Sequence, residues 1–285
     1  MIAGRDVLVF GQTGQIARDL ARLLPDALFL GRAEADLADP AACAARVAES
    51  KATVIINAAA WTAVDQAEAE EAAATVINAA APTAMAQAAA ARGVAFLHVS
   101  TDYVFDGSGV LPFAPDHPTA PLGAYGRSKL AGEIGIRAAG GRHLILRTSW
   151  VFSAHGANFV KTMLRLGAER AVLPVVADQI GGPTPAAALA QALILAAPAV
   201  RAGTSGGTHH FSGAPEVSWA DFARQIMAEA GLKCRIEDIP TADYPRPARR
   251  PLNSRLDCRS FLADFGLDQP DWRKGLSDCV KELSR

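Results

Sequence analysis

The sequence predicts a doubly wound α/β fold, a largely parallel sheet wrapped by helices, with a smaller C-terminal lobe. Three observations carry the prediction. Over the first two thirds, short β-branched runs alternate with longer alanine-rich segments, the rhythm of βαβ units. A glycine turn, Gly11-Gln12-Thr13-Gly14, separates the first run from the first helix-forming segment. After about Gly203 the rhythm gives way to Gly-Thr-Ser-Gly-Gly-Thr and then to a proline- and arginine-rich stretch from Pro240 to Pro251.

The predicted strands are residues 7–10, 28–30, 54–57, 95–99, 144–147 and 172–176. Helices are predicted between them over 15–24, 40–50, 73–92, 124–138, 158–169 and 185–197. A further strand is expected over 209–212 and a helix over 219–230. Residues 1–147 and 171–215 are assigned to a dinucleotide-binding Rossmann domain, and 148–170 and 216–285 to a substrate-binding lobe.

Half of the 285 residues are hydrophobic, enough for one large core. Basic and acidic residues number 28 and 29 and are spread along the chain, so no electrostatic footprint for nucleic acid or an anionic membrane is expected. Small molecules are the expected partners. Met1 to Asp6 run directly into the first strand without a basic segment and a long apolar stretch, which predicts a cytoplasmic protein. Cys43, Cys234, Cys258 and Cys279 lie far apart without zinc-ligand spacing and read as thiols in a reducing compartment.

Gly11, Gln12, Thr13, Gly14, Gln15 and Ile16 form the candidate phosphate-binding turn, where backbone N–H groups approach a pyrophosphate at the positive end of a helix. Ala17 stands where a third glycine often does and is still small enough for close packing of helix on sheet. The acidic residue usual at the end of the second strand is missing. Arg32 takes its place, either meeting a 2′-phosphate or standing as a solvated surface charge, so the cofactor is read as NADPH or NADH. Asp36 and Leu37 can flank an adenine, and Asn57-Ala-Ala-Ala60 offers small residues beside the cofactor.

Ser100-Thr101-Asp102 ends the fourth strand, on the sheet edge where open α/β folds bind ligands. Tyr125 and Lys129 lie four residues apart on one helical face, so the ammonium can approach the phenol and a cofactor ribose. A nearby positive charge lowers a phenol's pKa, whereas desolvation raises it. Tyr125 is then the proton donor for carbonyl reduction and Thr101 a second hydrogen-bond partner of the same oxygen. His98, His117, His143, His155, His209 and His210 show neither metal spacing nor a Ser-His-Asp arrangement and are read as structural.

Taken together, the strings Gly11-Gln-Thr-Gly-Gln15, Asn57 to Asp65, Ser100-Thr-Asp-Tyr-Val-Phe105, Tyr125 to Glu133, Arg147-Thr-Ser-Trp-Val-Phe152, Asp178-Gln179 with Gly182-Pro-Thr184, and Arg249-Arg-Pro-Leu-Asn-Ser254 resemble the dTDP-4-dehydrorhamnose reductase family. The likeness runs along almost the whole chain. It implies that Thr101, Tyr125 and Lys129 act on a 4-keto group and that Thr101, Asp102 and Trp150 touch the nucleotide sugar. It also implies that residues 14–16, Asp36, Leu37, Ala60, Trp61, Thr62 and Val99 line the cofactor. Trp150 has a ring suited to stacking, and Arg250 with Arg249 can meet a diphosphate.

The chain departs from the family in two places. Asp19 and Glu282 supply part of the carboxylate set that some members use for a magnesium ion at a dimer interface, but Ala187 replaces another, so no required metal is expected. The resemblance is compatible with a homodimer. Trp61 replaces the histidine of many members. Two other readings share the glycine turn and the Tyr-Lys pair: a nucleotide-sugar dehydratase or epimerase, and a non-catalytic regulatory subunit of the same fold. A dehydratase places a glutamate after the strand-end Thr-Asp, where this chain has Tyr103.

Overall fold

The computed structural model describes residues 2–284, so Met1 and Arg285, the outer ends of the two expected domains, lie outside the described residues. Five strands arise in order along the N-terminal half: β1 (Val7–Phe10), β2 (Leu28–Leu30), β3 (Val54–Asn57), β4 (Ala95–Thr101) and β5 (His143–Thr148). β6 (Val172–Val176), β7 (Gly207–His210) and β8 (Arg235–Ile239) follow. The main sheet has the order β7-β5-β4-β3-β1-β2 and is parallel throughout. β2 and β3 lie on opposite sides of β1, so the chain order reverses there and a crevice opens above the carboxyl end of β1.

The helices are α1 (Gln15–Leu23), α2 (Pro40–Glu49), α3 (Ala81–Ala91), α4 (Ala124–Ala138), α5 (Phe159–Glu169), α6 (Ala186–Ala202), α7 (Trp219–Glu229), α8 (Arg259–Phe265) and α9 (Trp272–Leu283). Every residue of β1 and β3 is buried, because helices cover both faces of the sheet. Val7 and Val9 point into a core shared with Leu20 of α1 and Leu193 of α6; Leu8 and Phe10 point the other way, toward Val47 of α2 and Met85 of α3.

Several boundaries follow from caps. Asp39 accepts from the Ala42 N–H ahead of α2, with Pro40 at its first position, and Asn158 accepts from Lys161 N–H and so precedes α5. α6 runs past the expected end at Ala197, through Pro198, to a left-handed Gly203. Pro198 deprives the Ile194 carbonyl of its helical donor, but Leu193, Ala196, Ala197 and Val200 are held in the core on either side. The helix expected over 73–92 is broken instead into Glu71–Thr75, one π-helical turn over Val76–Ala80, and α3. Pro82 has no N–H to give the Asn78 carbonyl, which accounts for the change of winding.

The expected domain division needs correction at two points. β6 falls within residues 171–215, expected in the Rossmann domain, but it pairs in parallel with β8 and packs among Phe152, Val160, Met163, Phe222 and Trp272. It belongs to the lobe. α8 falls within residues 216–285, expected in the lobe, yet its Phe261 is fully buried in the main core beside Phe211. No helix among the described residues is long and apolar enough to cross a membrane.

Candidate active site

A cavity of about 1000 Å³ lies over the carboxyl ends of β1, β4 and β5, between the sheet and the lobe. Of the predicted site residues, Gly11, Gln12, Thr13, Gly14, Gln15, Ile16, Arg32, Asp36, Leu37, Ala60, Thr62, Val99, Thr101, Asp102, Tyr125, Lys129 and Trp150 all line it. A smaller cavity of about 580 Å³, between Glu216, Arg255 and Gln269, contains none of them.

Gly11 has φ +110°, a conformation that L side chains rarely adopt, and a Cβ there would lie 3.4 Å from the Ala58 and Ala59 backbone. Gly14 is the extended N-cap of α1 and supplies no side-chain cap, so the first N–H groups of the helix face the cavity free for an anion. This cradle suits a dinucleotide pyrophosphate. Gln15 also ties the turn to the lobe, accepting from Ser153 and from Asn158 at 2.9 Å. Arg32 is largely exposed and contacts Asp36 at 3.1 Å. The Ala38 N–H and then Arg32 hold the Asp36 carboxyl below its usual value.

Two predicted residues are not part of the lining. Trp61 turns away: its Nε1 donates to the Ala63 carbonyl and its ring joins Ala67, Ala74, Ala124 and Tyr125 in a small apolar cluster. Its ring packs beside the helix that carries Tyr125. Arg250 is drawn to Asp65 by an ion pair of 2.9 Å, although its Nη1 is buried without a partner. Asp19 and Glu282 both contact Arg22, at 3.3 and 3.7 Å.

The chemistry-bearing groups meet where β4 ends and α4 begins. Glu68 accepts from the Ala124 N–H at 2.9 Å, anchoring the first turn of α4. Any side chain at Gly126 would place its Cβ 2.2 Å from the Tyr103 carbonyl oxygen, so glycine there lets the helix lie directly on the turn after β4. Tyr103 and Tyr125 meet edge to face with centroids 5.5 Å apart. The Thr101 hydroxyl donates to Asp102 at 3.0 Å. Lys129 is buried, donating from Nζ to the Val99 carbonyl at 2.8 Å and lying 3.0 Å from His98 Nε2.

Electrostatics here differ from the sequence expectation. Burial pushes the Tyr125 phenol above its ordinary value, with a hydrogen bond to Thr101 opposing and the nearby Asp102 charge adding to the rise. Burial likewise pushes Lys129 down to about 8, against the pull of Glu133. His98, read as structural, sits against the lysine.

Asp102 is the other displaced group. Burial pushes its carboxyl up to about 6, against hydrogen bonds with Ser254 and Thr101, and its Oδ2 has no partner. The folded protein therefore holds this proton more tightly than the unfolded chain does. Stability falls as pH rises from about 4 to about 6, and the penalty is complete above that range. Asp102→Asn is expected to stabilise the protein by up to about 3 kcal/mol at pH 8 and by little at pH 4. Denaturant titrations at the two pH values measure this; equal effects at both would refute it.

Among the lining residues beyond the predicted set, Thr148, Tyr103 and Trp219 bring side chains with chemistry of their own. Thr148 ends β5 with a buried hydroxyl that has no partner, and its place in the Arg147-Thr-Ser-Trp150 string was the one available signal. Tyr103, which in sequence only stands where a dehydratase has a glutamate, lines the cavity as well. Trp219 stacks on Trp150 with centroids 3.6 Å apart and planes 13° from parallel, a pairing across 69 residues that no local pattern announces. Trp150 itself has φ +50°, a left-handed conformation in a bulky residue of the kind that collects at ligand sites. Arg147, from the same string, is instead a structural centre: fully buried, it donates to Glu133 at 2.9 and 2.6 Å and to the Pro115 carbonyl at 3.0 Å.

Fold and site together define an α/β dinucleotide-binding protein with a Tyr-Lys helix beside a strand-end threonine, under a second lobe. The chain belongs to the RmlD substrate binding domain family, whose model matches residues 5–285. It is 44% identical over 293 residues to the dTDP-4-dehydrorhamnose reductase of Burkholderia thailandensis, which spans 97% of this chain and 98% of that one. The crystal structure of a dTDP-4-dehydrorhamnose reductase from Clostridium acetobutylicum superposes with a TM-score of 0.91 at 33% identity, covering 98% of this chain and 99% of that one. The Bacillus anthracis reductase, solved in complex with NADP, gives 0.90 at 34% identity, covering 97% and 98%.

Proposed function

We propose that the protein reduces the 4-keto group of dTDP-4-dehydro-L-rhamnose to give dTDP-L-rhamnose, using NADPH or NADH. One observation carries the reading: the cavity that starts at the Gly11–Ile16 turn ends at Thr101, Tyr125 and Lys129. When bound, a reduced nicotinamide supplies the hydride for the carbonyl carbon. Tyr125 gives the proton to the oxygen, Thr101 holds that oxygen by a hydrogen bond, and Lys129 sets the protonation of the pair. Asp102 and the stacked Trp150 border the place for the sugar, and the lobe of α5, α7, α9, β6 and β8 closes over it. Elimination chemistry has less support, since Tyr103 follows Asp102 where a second carboxyl would be needed.

The reading extends to the cytoplasm as the place of action, supported by four free and buried cysteines, and it is compatible with a homodimer. The deciding experiment supplies purified protein with dTDP-4-dehydro-L-rhamnose and follows oxidation of NADPH and of NADH. Turnover is expected. Tight cofactor binding without turnover on this or any other 4-ketohexose nucleotide would overturn the proposal.

A further inference from the structure

The side chain of Asn57 fixes the direction of a buried chain of hydrogen bonds that ends on Lys129. Its Oδ1 accepts from the Ala59 N–H at 3.1 Å, which leaves Nδ2, a donor only, 3.1 Å from His98 Nδ1. Nδ1 must then accept, and the neutral ring carries its hydrogen on Nε2. That hydrogen faces Lys129 Nζ across 3.0 Å. An ammonium has three hydrogens and no lone pair, so it would meet Nε2–H donor against donor, whereas an amine accepts. Both forms can still donate to the Val99 carbonyl. Asn57, His98 and Lys129 are 1%, 0% and 2% exposed, so a mismatched N–H has no water to turn to.

We propose that Asn57 and His98 are positioning residues which stabilise Lys129 as a neutral amine between proton transfers, by presenting Nε2–H to its lone pair. The inference rests on the assignment of Tyr125 and Lys129 made above. Once Tyr125 has protonated the sugar oxygen, its phenolate takes a proton from the Lys129 ammonium. The amine left behind is the form His98 receives, and a proton that enters from solvent through the cavity Lys129 lines restores the ammonium before the next turnover. The electrostatics run the same way: burial holds His98 well below its ordinary pKa, keeping the ring neutral, and lowers Lys129.

The ionisable groups on the elements around Lys129 are few. α4 carries Tyr125, Arg127, Glu133 and Arg137, β4 brings His98 with Asp102 just past its end, and β5 brings His143 and Arg147. Glu133 is neutralised by Arg147, while Glu68 and Glu71 are engaged by the Ala124 N–H and by Arg127. None supplies Nζ with an acceptor in place of His98.

The test reads the ring of His98 directly, by ¹⁵N NMR of the cofactor-free protein labelled in histidine. The Nε2–H tautomer is expected. Asn57→Asp replaces the Nδ2 donor with an acceptor; it should turn the ring to Nδ1–H and raise the Lys129 titration midpoint, read from ¹³Cε of labelled lysine. His98→Phe keeps a ring against Phe96 but removes the donor. Reduction needs the ammonium, so its kcat/KM falls as pH rises through the Lys129 pKa; in His98→Phe that fall should move up by about one pH unit. An Nδ1–H tautomer in the unmodified protein, or a Lys129 midpoint unmoved in both variants, would overturn the proposal. Normal turnover in Lys129→Met with the Nε2–H tautomer intact would overturn the catalytic assignment instead, so the two failures are distinguishable.

Discussion

Tyr125→Phe is expected to lower kcat for the reduction by about 10²-fold or more, in line with the loss of a general acid, while cofactor affinity stays nearly unchanged. The geometry supports so selective an effect. The ring is packed by Tyr103 on one side and by the cluster of Trp61, Ala67, Ala74 and Ala124, all of which a phenylalanine ring can still fill. Only the hydroxyl is lost, together with its hydrogen bond to Thr101. The pyrophosphate cradle at Gly11 and Gly14 is untouched. Steady-state kinetics with a separate titration of NADPH would measure both quantities. Near-normal kcat in the variant would move the proton source to another group, with Asp102, whose carboxyl is pushed up to about 6, the first to examine.

Arg147→Met is expected to destabilise the fold by about 3–5 kcal/mol, the usual effect of leaving one member of a buried ion pair alone. Arg147 and Glu133 have side chains 3% and 0% exposed. Burial by itself would favour the neutral carboxylic acid, but hydrogen bonds from Arg147, Ser100 and Arg137 hold Glu133 below its ordinary pKa. Since the folded value is depressed, this pair contributes stability above the unfolded pKa and loses it as pH falls through the folded one. Without Arg147 the carboxylate keeps Ser100 and the partly exposed Arg137 but loses its buried counter-ion, and the Phe105 ring beneath the guanidinium loses a cation at 5.0 Å. Urea unfolding at neutral pH gives the difference. The double variant Arg147→Met/Glu133→Leu should recover much of it, because both charges are then gone; a single variant within 1 kcal/mol of the parent, measured by the same unfolding, would refute the buried-pair account.

The main sheet was legible because its signals are local. Val7–Phe10 and Val54–Asn57 are short, β-branched and followed by turn or small residues, and they form strands within the same bounds. The glycine turn and the Tyr125–Lys129 spacing likewise depend on neighbours in the chain, and both line one cavity in the structure. Trp61 and Arg250 lie outside the cavity lining because adjacency in sequence to lining residues does not fix which way a side chain turns. Ala63 supplies Trp61 with an acceptor, and Asp65 supplies Arg250 with a counter-ion, both away from the cavity.

β6 has the sequence of a strand, but nothing in residues 172–176 identifies the polar Arg235–Ile239 as its partner across 63 residues. Packing in the lobe core settles that pairing. Similarly, Trp150 in sequence offers a ring for stacking, and only the fold brings Trp219 onto it. By itself the sequence determined the class of fold, the anion-binding turn and the identity of the proton-transfer pair proposed here, since each follows from periodicity or from residues within one helical turn. The tertiary structure alone decided what surrounds that pair: burial of Tyr125 and Asp102 that shifts their pKa values upward, the Arg147–Glu133 ion pair beneath them, and the His98 ring on Lys129. Desolvation and long-range hydrogen bonding depend on which distant segments close over a group, and no run of neighbouring residues encodes that.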